Sequence, residues 1–537
     1  MNRPTCRLLS RRALATWLAL TPVLAAAPAM AAETLTVGVR AGPLSIDPHF
    51  TASATSAEAL KHVFDTLVVS GNNLELRPGL AESWTAIDAT TWEFKLRQGV
   101  KFHDGSDFTA EDVKFSIERI PLVTGPNPAT IYVRRVKEVQ IVDPHTIRIV
   151  TPTPAPTLPN DFVRLFVVSS KAARDFSTRE TANEGFNTGR AAIGTGPYRF
   201  VSWTPKEQLV LDRFDGYWGG AEPWDRVIRK ELPNDTTRVA QLKAGQVDII
   251  ARAPAADVPT LERDRSLAIV KTDSAYMFYM EFDFRESSPT ITARNGSALP
   301  ANPFRDPRVR EAIDIAIDRE TLAEIAMEGM GKPGTQLVTP QIFGYNAQLP
   351  VTKPDPRRAR ALLAEAGYPN GFRVPFNFTN DGLPGDRAVG TSISQMLSAV
   401  GIDAVANAQP GAVWSPARTR GDYAFYQGGW GTLTGEANYT LSSLVHSNDP
   451  AKRMGAFNNR NYRNAELDQA IEAADVEMDE AKRRAYLERA AAIVAQDRPS
   501  LPIAGIVTAW AMRRDRVTIT PRADEDTLAM NIRRPAR

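Results

Sequence analysis

The stretch "TWEFKLRQGVKFHDGSDFTAEDVKFSIER" (Thr91–Arg119) contains a histidine, several carboxylates and two glycines, so it is either a reaction centre or a closely punctuated structural segment. Apolar and polar residues alternate at its start, which predicts a half-buried strand that ends at Arg97. Farther along, Thr109 and Asp112 have the spacing of a capping box at the start of an amphipathic helix. A catalytic His103 would need a positioned partner that the sequence does not show. We therefore interpret the stretch as structure.

The first 31 residues have the composition of a secretory signal peptide. Four arginines precede an apolar run from Ala13 to Ala27, and Ala29-Met30-Ala31 has the small residues of a cleavage site. Ser10–Leu14 also resembles a twin-arginine export signal, although a general secretory signal with two arginines has the same pattern. We predict export of the chain and cleavage near Ala31.

Charge and cysteine content exclude several classes of partner and site. Loss of the four leader arginines would change the formal net charge from +2 to −2, and no cluster of basic residues suggests binding to nucleic acid. The one cysteine, Cys6, lies in the leader, so we expect no disulfide in the exported chain. No later segment approaches the run of about 18 apolar residues that a membrane-spanning helix needs, which predicts a soluble protein.

Strand and helix patterns are interspersed along the chain, which favours an α/β architecture of roughly two to four domains. Asp306 and Asp355 each precede a proline, the pattern of an N-cap followed by the first helical residue. Further periodic segments predict two strands and two amphipathic helices, at Thr146–Val150, Gln208–Asp212, Ala465–Val476 and Glu480–Gln496.

Two breaks in the pattern indicate crossings between lobes. The apolar run "YMFYMEFDF" (Tyr276–Phe284) leads into a polar segment rich in Ser, Pro, Asn and Gly that ends at Asp306. A second crossing is predicted near Asp497–Pro499, where a long helix ends and a buried strand begins.

The sequence lacks the common catalytic motifs. It contains no G-x-S-x-G, no H-E-x-x-H and no Walker A motif, and the segment "EGMGKPG" (Glu328–Gly334) has the wrong glycine spacing and a proline after its lysine. Five histidines and no cysteine in the exported chain leave few ligands for zinc. We predict no catalytic residue, no metal site and no cofactor. A secreted hydrolase is the alternative class.

Several motifs, in order along the chain, resemble the family 5 extracellular solute-binding proteins of bacterial ABC importers, the receptors for dipeptides, oligopeptides, nickel and glutathione. Besides the opening stretch, these motifs are "LRPGLAESW" (Leu76–Trp84), "IGTGPYRF" (Ile193–Phe200), "YWGG" (Tyr217–Gly220), "LKAGQVDI" (Leu242–Ile249) and "DPRVREAIDIAIDRE" (Asp306–Glu320). The resemblance extends over nearly the whole exported chain.

The resemblance implies a two-lobed type II periplasmic-binding-protein fold with an extra subdomain inserted in the first lobe. We expect lobe I at residues 32–275 with the subdomain at about 70–190, lobe II at 276–496, and a return to lobe I at 497–537. The implied protein is a periplasmic monomer that closes on a peptide-like solute and delivers it to a permease with cytoplasmic ATPases.

The segment Tyr423–Leu444 is similar to the family segment that runs from a tryptophan to an acidic residue near the ligand. Trp430 matches the tryptophan, but Gly435–Asn438 replaces the Asp-Pro of peptide-binding relatives and is similar to the Gly-Glu-Ala of glutathione receptors. A glutathione-like solute is therefore implied, with a nickel chelate, haem, an oligosaccharide or an opine as alternatives. The predicted ligand-binding residues are Ser45, Tyr276, Gln427, Trp430, Gly431, Glu436, Asn438 and Tyr439.

Two of these residues also have structural interpretations. Glu436 precedes a predicted helix and would complement its dipole without touching a ligand, a contribution of about 0.3–1 kcal/mol. Trp430 lies among glycines and would fill a gap in the core, whereas the same glycines would let the backbone approach a ligand closely.

Overall fold

The computed structural model describes residues 33–123, 125 and 129–535, so the predicted signal peptide lies outside the described residues. The strands are β1 (Thr34–Val39), β2 (Val68–Ser70), β3 (Leu76–Pro78), β4 (Ala81–Asp88), β5 (Thr91–Leu96), β6 (Glu138–Asp143), β7 (Thr146–Val150), β8 (Tyr198–Thr204), β9 (Gln208–Arg213), β10 (Arg226–Glu231), β11 (Ile249–Ile250), β12 (Leu267–Phe282), β13 (Gly331–Pro333), β14 (Phe372–Thr379), β15 (Ile402–Gln409), β16 (Phe425–Gly431), β17 (Ser500–Arg513), β18 (Thr518–Ile519) and β19 (Ile532–Arg533).

The helices are α1 (Ala54–Leu60), α2 (Ala110–Arg119), α3 (Leu158–Asp161), α4 (Ser170–Ala173), α5 (Arg179–Asn187), α6 (Asp235–Lys243), α7 (Val258–Arg263), α8 (Pro307–Ala316), α9 (Arg319–Thr321), α10 (Pro356–Glu365), α11 (Asp386–Ala399), α12 (Gly411–Arg420), α13 (Ala437–Leu444), α14 (Ala465–Val476) and α15 (Glu480–Asp497). Short 3-10 turns lie at Ile120–Leu122, Ala129–Tyr132, Phe162–Arg164, Arg174–Phe176, Ala255–Asp257, Pro303–Arg305 and Ala529–Asn531, and a π-helical turn lies at Leu322–Ala326.

The local predictions for the opening stretch are confirmed. β5 ends at Leu96, one residue before the predicted end at Arg97, and α2 begins directly after its predicted N-cap. The backbone N–H of Thr109 donates to Asp112 Oδ2 at 3.0 Å, as a capping box requires. Short-range signals of this kind act within a few residues, so the sequence alone is sufficient to locate them.

His103 has a structural role in the fold. Its Nε2 donates to the carbonyl oxygen of Gly196 at 2.9 Å, and its Nδ1 accepts a hydrogen bond from the backbone N–H of Gly194 at 3.3 Å. Both ring nitrogens are therefore occupied by the backbone of a neighbouring segment. Burial lowers the pKa of His103 to about 4, so the ring is neutral at pH 7.

One large sheet runs through both lobes. Its strands lie in the order β15, β14, β16, β12, β17, β11, β1, β10, β9, β8, and β13 pairs with β17. We call the part built on β1 and β8–β11 lobe I, and the part built on β14–β16 lobe II. β1 and β10 are parallel, as are β14 and β15. Ligands of open α/β sheets bind beyond the carboxyl ends of parallel strands, so the cleft between the lobes is the place to look for a site.

Each lobe has its own hydrophobic core. The core of lobe I includes Leu35, Val37, Leu211, Val227 and Trp510. The core of lobe II includes Ile313, Phe376, Ile393, Phe425 and Ile503. Separate cores allow two bodies to move relative to each other, because rotation about the connection leaves each core intact.

A third core belongs to a subdomain that is inserted in lobe I. Its sheet has the order β4, β5, β7, β6, and α2 packs against it. The buried residues of this core all lie between Leu67 and Val167, and they include Phe94, Val113, Ile117 and Ile147. We call this part of the chain the subdomain.

β12 and β17 connect the lobes as an antiparallel pair. Residues 267–273 of β12 pair with residues 513–507 of β17, and residues 277–281 pair with 505–500, with an irregular register between Asp273 and Met277. Beyond that irregularity, β12 also pairs with β16 of lobe II. The chain therefore passes from one lobe to the other inside two long strands, and the irregular segment is where a hinge would bend.

No helix among residues 33–123, 125 and 129–535 is long and apolar enough to cross a membrane. Over the same residues, no group of three or more His, Cys, Asp or Glu side chains could hold a metal ion.

Candidate functional site

The carboxyl end of β16 forms a backbone edge at the cleft. One side of β16 pairs with β12 from Tyr276 to Phe282, whereas the other side pairs with β14 at Tyr426. The strand then continues to Gly431, where an added Cβ atom would lie 2.6 Å from the ring of Tyr276. Glycine is required here because no side chain fits between the strand and this ring. The result is an open stretch of strand beside an aromatic wall.

Trp430 points into lobe II, where it is half-buried. Its Nε1 donates to Thr440 Oγ1 at 3.0 Å, and its ring packs on Tyr439 and Phe457 at centroid distances of 5.4 and 5.1 Å. The indole is therefore held by α13 and by Phe457.

Glu436 is buried in lobe II and already has a cationic partner. Its Oε1 accepts a hydrogen bond from Arg483 Nε of α15 at 3.0 Å, and its carboxylate makes no capping bond to α13. Burial raises the pKa of Glu436 to about 7, although Arg483 and Arg135 act to lower it. The carboxylate of Glu436 is therefore engaged within the protein.

Asn438 is part of a bridge between lobe II and the subdomain. Asp475 Oδ1 of α14 accepts hydrogen bonds from Asn438 Nδ2 at 2.7 Å and from Arg135 Nη2 at 2.6 Å. Within the described part of the chain, Asn438 Oδ1 and Arg135 Nη1 are buried and have no hydrogen-bond partner. Buried polar groups without a partner are uncommon, and these two lie where the lobes meet.

Three phenols converge at the same interface. Tyr439 on α13 lies within electrostatic reach of Tyr276 on β12 and of Tyr132 in the subdomain, because the charge of either phenolate would raise the pKa of Tyr439. Burial raises the pKa of Tyr276 to about 12, and it raises the pKa of Tyr132 and Tyr439 above the usual range. All three are neutral hydrogen-bonding groups at pH 7.

Arg164, which the sequence analysis missed, is the cation that these phenols face. It lies at the end of a 3-10 turn in the subdomain, is only 7 % exposed, and has Tyr132, Tyr276 and Tyr439 in electrostatic reach. Among the described residues it makes no side-chain hydrogen bond and no ion pair. An arginine at the end of a short 3-10 turn gives no sequence signal, since the absence of a partner appears only in three dimensions.

The carboxylates near Arg164 are already paired with other cations. The C-terminal run Asp524–Asp526 is buried, and its carboxylates form ion pairs with Lys61, Arg252 and Arg522. Asp524 and Asp526 also attract Arg164 electrostatically, but from beyond ion-pair distance. Arg164 is thus held near carboxylates that are already used elsewhere, and its donors remain available.

Two predicted ligand residues lie apart from this group. Ser45 Oγ lies 2.8 Å from Asn183 Oδ1 and 3.0 Å from Asn187 Oδ1, so it anchors a loop to α5. Gln427 Nε2 donates to the backbone carbonyl of Asp386 at 3.0 Å on the α11 side of β16. The structure therefore brings together Tyr276, Trp430, Gly431, Glu436, Asn438 and Tyr439, and it separates Ser45 and Gln427 from them.

Known proteins resemble this chain over nearly its whole length. The glutathione-binding protein GsiB of Salmonella paratyphi A is 28 % identical over 498 residues, which cover 91 % of this chain and 92 % of that protein. A dipeptide-binding protein of a Pseudoalteromonas species, solved in complex with Met-Leu, superposes with a TM-score of 0.78 at 21 % identity and covers 94 % of this chain and 100 % of its own. The periplasmic binding protein DppA of Helicobacter pylori, solved with the peptide STSA, has a TM-score of 0.75 at 23 % identity and covers 93 % and 98 %.

The structural matches establish the two-lobed periplasmic-binding-protein fold. The family model for the bacterial extracellular solute-binding proteins, family 5, matches residues 75–452, which is more than half of the chain. The chain therefore belongs to the bacterial extracellular solute-binding proteins of family 5.

Proposed function

We propose that this protein is the periplasmic receptor of an ABC importer and that it captures a peptide-like solute bearing a carboxylate. The solute binds between the lobes and stabilises the closed form, because it has more contacts there than in the open form. A permease with cytoplasmic ATPases then receives it. We further propose that the receptor acts as a monomer and makes or breaks no bond in the solute.

The single observation that supports this solute class most strongly is the unpartnered guanidinium of Arg164. A nearly buried cation costs free energy unless an anion or several acceptors satisfy it. Within the described residues Arg164 has no ion pair and no side-chain hydrogen bond, although Asp524 and Asp526 attract it from farther away and three phenols lie in electrostatic reach. A planar guanidinium matches the two oxygens of a carboxylate, and binding of that group would supply the missing partner.

The open edge of β16 supports a peptide-like backbone in the same site. Extended peptides bind by adding a strand to a free sheet edge, where backbone hydrogen bonds provide affinity and flanking pockets select side chains. β16 offers such an edge from Gly428 to Gly431, beside Tyr276 and close to Tyr439. The glutathione-binding relatives and the peptide complexes have solutes of this class.

We propose that the solute touches Tyr276, Gly431, Tyr439, Asn438 and Arg164, whereas Trp430 and Glu436 hold this wall in place.

The lobe boundaries are proposed from the strand register. The first crossing stays at 275/276, inside the irregular segment of β12. The second moves from 496/497 to about 505/506, because residues 500–505 of β17 still pair with the lobe II half of β12.

The proposal is tested by calorimetry with Arg164→Gln and a matched set of peptides. We expect the wild type to bind a peptide with a free C-terminal carboxylate more tightly than the same peptide with a C-terminal amide. Loss of a charge-assisted hydrogen bond costs about 1.5–3 kcal/mol, so the variant should bind the free acid about 10- to 100-fold more weakly. The variant should no longer distinguish acid from amide.

The control is Arg148→Gln, which removes a half-exposed arginine that pairs with Glu93 on the sheet of the same subdomain. It should bind both peptides like the wild type. Equal affinity of Arg164→Gln and the wild type for the free acid would contradict the assignment of Arg164.

A further inference from the structure

A second cationic site lies outside the aromatic wall. A cavity of about 720 Å³ opens between the subdomain and lobe II. Its charged lining consists of Arg134, Arg135, Lys452, Arg453, Glu472 and Asp475. We call it the basic cavity. Four cationic and two anionic side chains face it, so its lining has an excess of positive charge.

The carboxylates of the basic cavity are already used. Lys452 Nζ donates to Glu472 Oε1 at 2.6 Å, and Arg135 Nη2 donates to Asp475 Oδ1 at 2.6 Å. The two remaining cations, Arg134 and Arg453, have no carboxylate partner among the described residues.

Arg134 and Arg453 are instead placed by each other's backbone. Arg134 Nη1 donates to the carbonyl oxygen of Arg453 at 3.2 Å, and Arg453 Nη1 donates to the carbonyl oxygen of Arg134 at 2.8 Å. Each guanidinium has five N–H donors, so most of them remain free. Arg135 contributes a further buried donor, Nη1, that has no partner in the described part of the chain. Several guanidinium N–H groups without a hydrogen-bond partner therefore surround one cavity.

Tyr439 connects the basic cavity to the cleft. The charges of Arg164 and of Arg134 both act on its phenol, so this ring lies within electrostatic reach of both unpaired cations. Asp475 provides a second connection, since it binds Asn438 of the cleft wall and Arg135 of the cavity. The cleft wall and the basic cavity therefore share Asp475 as a common hydrogen-bond acceptor. A tripeptide spans about 10 Å when extended, at 3.3–3.6 Å per residue.

We propose that the basic cavity is a second anion subsite, and that the natural solute is an elongated peptide-like molecule with at least two separated carboxylates. One carboxylate meets Arg164, and the other meets Arg134 and Arg453. This inference rests on the proposed function. Because Arg134 belongs to the subdomain and Arg453 to lobe II, a carboxylate held by both favours the closed form. The wall also contains Pro152, Met454 and Val476, which suit the carbon stem of an acidic side chain.

The test uses the full exported chain and two pairs of isosteric tripeptides, Glu-Ala-Ala with Gln-Ala-Ala and Ala-Ala-Glu with Ala-Ala-Gln. Each pair differs by one side-chain carboxylate. We expect the wild type to bind the glutamate member of at least one pair 10-fold or more tightly in calorimetry. The double variant Arg134→Gln/Arg453→Gln should lose this preference and bind both members of the pair alike. Arg148→Gln should keep it.

The design separates this inference from the proposed function. If the double variant weakens both members of a pair equally, the two arginines serve only as lobe contacts and the subsite is overturned. The subsite is also overturned if the wild type does not prefer the glutamate member of either pair. If Arg164→Gln still loses peptide affinity in that case, the proposed function stands. If the wild type binds none of the four tripeptides, both the inference and the peptide assignment are overturned.

Discussion

Lowering the pH from 8 to 5 is expected to reduce the free energy of unfolding by about 6 kcal/mol through three buried histidines alone. His49, His62 and His103 are buried, and burial lowers their pKa values to about 4, 3 and 4 from the ordinary 6.5. At pH 5 the unfolded state binds a proton at each of these residues and the folded state does not. Each pKa unit corresponds to about 1.36 kcal/mol, so 1.5 units below 6.5 cost about 2 kcal/mol per residue.

The hydrogen bonds of these histidines also favour the neutral ring in the folded state. In His49, Nε2 donates to the carbonyl oxygen of Phe166 at 2.8 Å, while Nδ1 accepts from Arg119 Nη1 at 3.0 Å. In His62, Nδ1 donates to the carbonyl oxygen of Ala59, while Nε2 accepts from the backbone N–H of Ala529. A second proton would sit on the ring nitrogen that now accepts a hydrogen bond, where it would face the N–H of Arg119 or of Ala529. The folded state therefore requires the neutral form of both rings.

Because the folded-state pKa values are lowered, the free energy of unfolding falls as the pH falls. Stability from these groups is fully present above pH 6.5, and it is lost as the pH falls toward 4 and 3. The measurement is urea unfolding between pH 8 and pH 5 for the wild type and for His62→Gln and His103→Gln. Each variant should be less stable at pH 8 and should lose about 2 kcal/mol less than the wild type on acidification. His145→Gln, at the half-buried turn between β6 and β7, is the control. Parallel pH profiles of wild type and both variants would contradict the prediction.

The second large effect is expected from Arg119→Met, which should lower the free energy of unfolding by about 3–5 kcal/mol. Arg119 Nη1 and Nη2 donate to the two carboxylate oxygens of Asp47 at 2.9 and 2.7 Å, and both side chains are 0 % exposed. Arg119 also donates to the ring of His49. Removing the guanidinium leaves a buried carboxylate without its cation and takes a donor from the histidine. The loss is therefore larger than for a surface ion pair.

Urea unfolding at pH 7.5 measures this loss, with Arg226→Met as the matched control. Arg226 also pairs with Asp212 through two hydrogen bonds, but both side chains are nearly half exposed, so the control should cost much less than Arg119→Met. The double variant Asp47→Leu/Arg119→Met should recover part of the loss, because no uncompensated charge stays buried. A loss for Arg119→Met that equals the loss for Arg226→Met would contradict the burial argument.

The sequence located the local elements because their signals are local. The capping box at Thr109, the N-caps Asp306 and Asp355, and the helix Ala465–Val476 all appear where they were predicted. Each depends on hydrogen bonds or periodic contacts within one or two helical turns. The second lobe crossing was harder to locate, because the polar break near Asp497 ends a helix, whereas the change of lobe occurs inside the apolar strand that follows.

The candidate site could be predicted only in part, because its contacts join residues that are far apart in the chain. Tyr276, Gly431 and Tyr439 were selected by their place in recognisable segments, and the fold brings them together. Ser45 was selected in the same way, but it anchors a loop through Asn183 and Asn187, residues far away in the chain. No sequence pattern marks Arg164 or the pair Arg134 and Arg453. What distinguishes them is the absence of a carboxylate partner, which only the assembled lobes determine.

Small-angle X-ray scattering with and without a saturating peptide measures whether a bound solute closes the two lobes. A solute that bridges the two lobes connected by β12 and β17 should shift the population toward the closed form. We expect a smaller radius of gyration and a shorter maximum dimension when calorimetry shows the site to be full. Identical scattering curves for the empty and the saturated protein would contradict it.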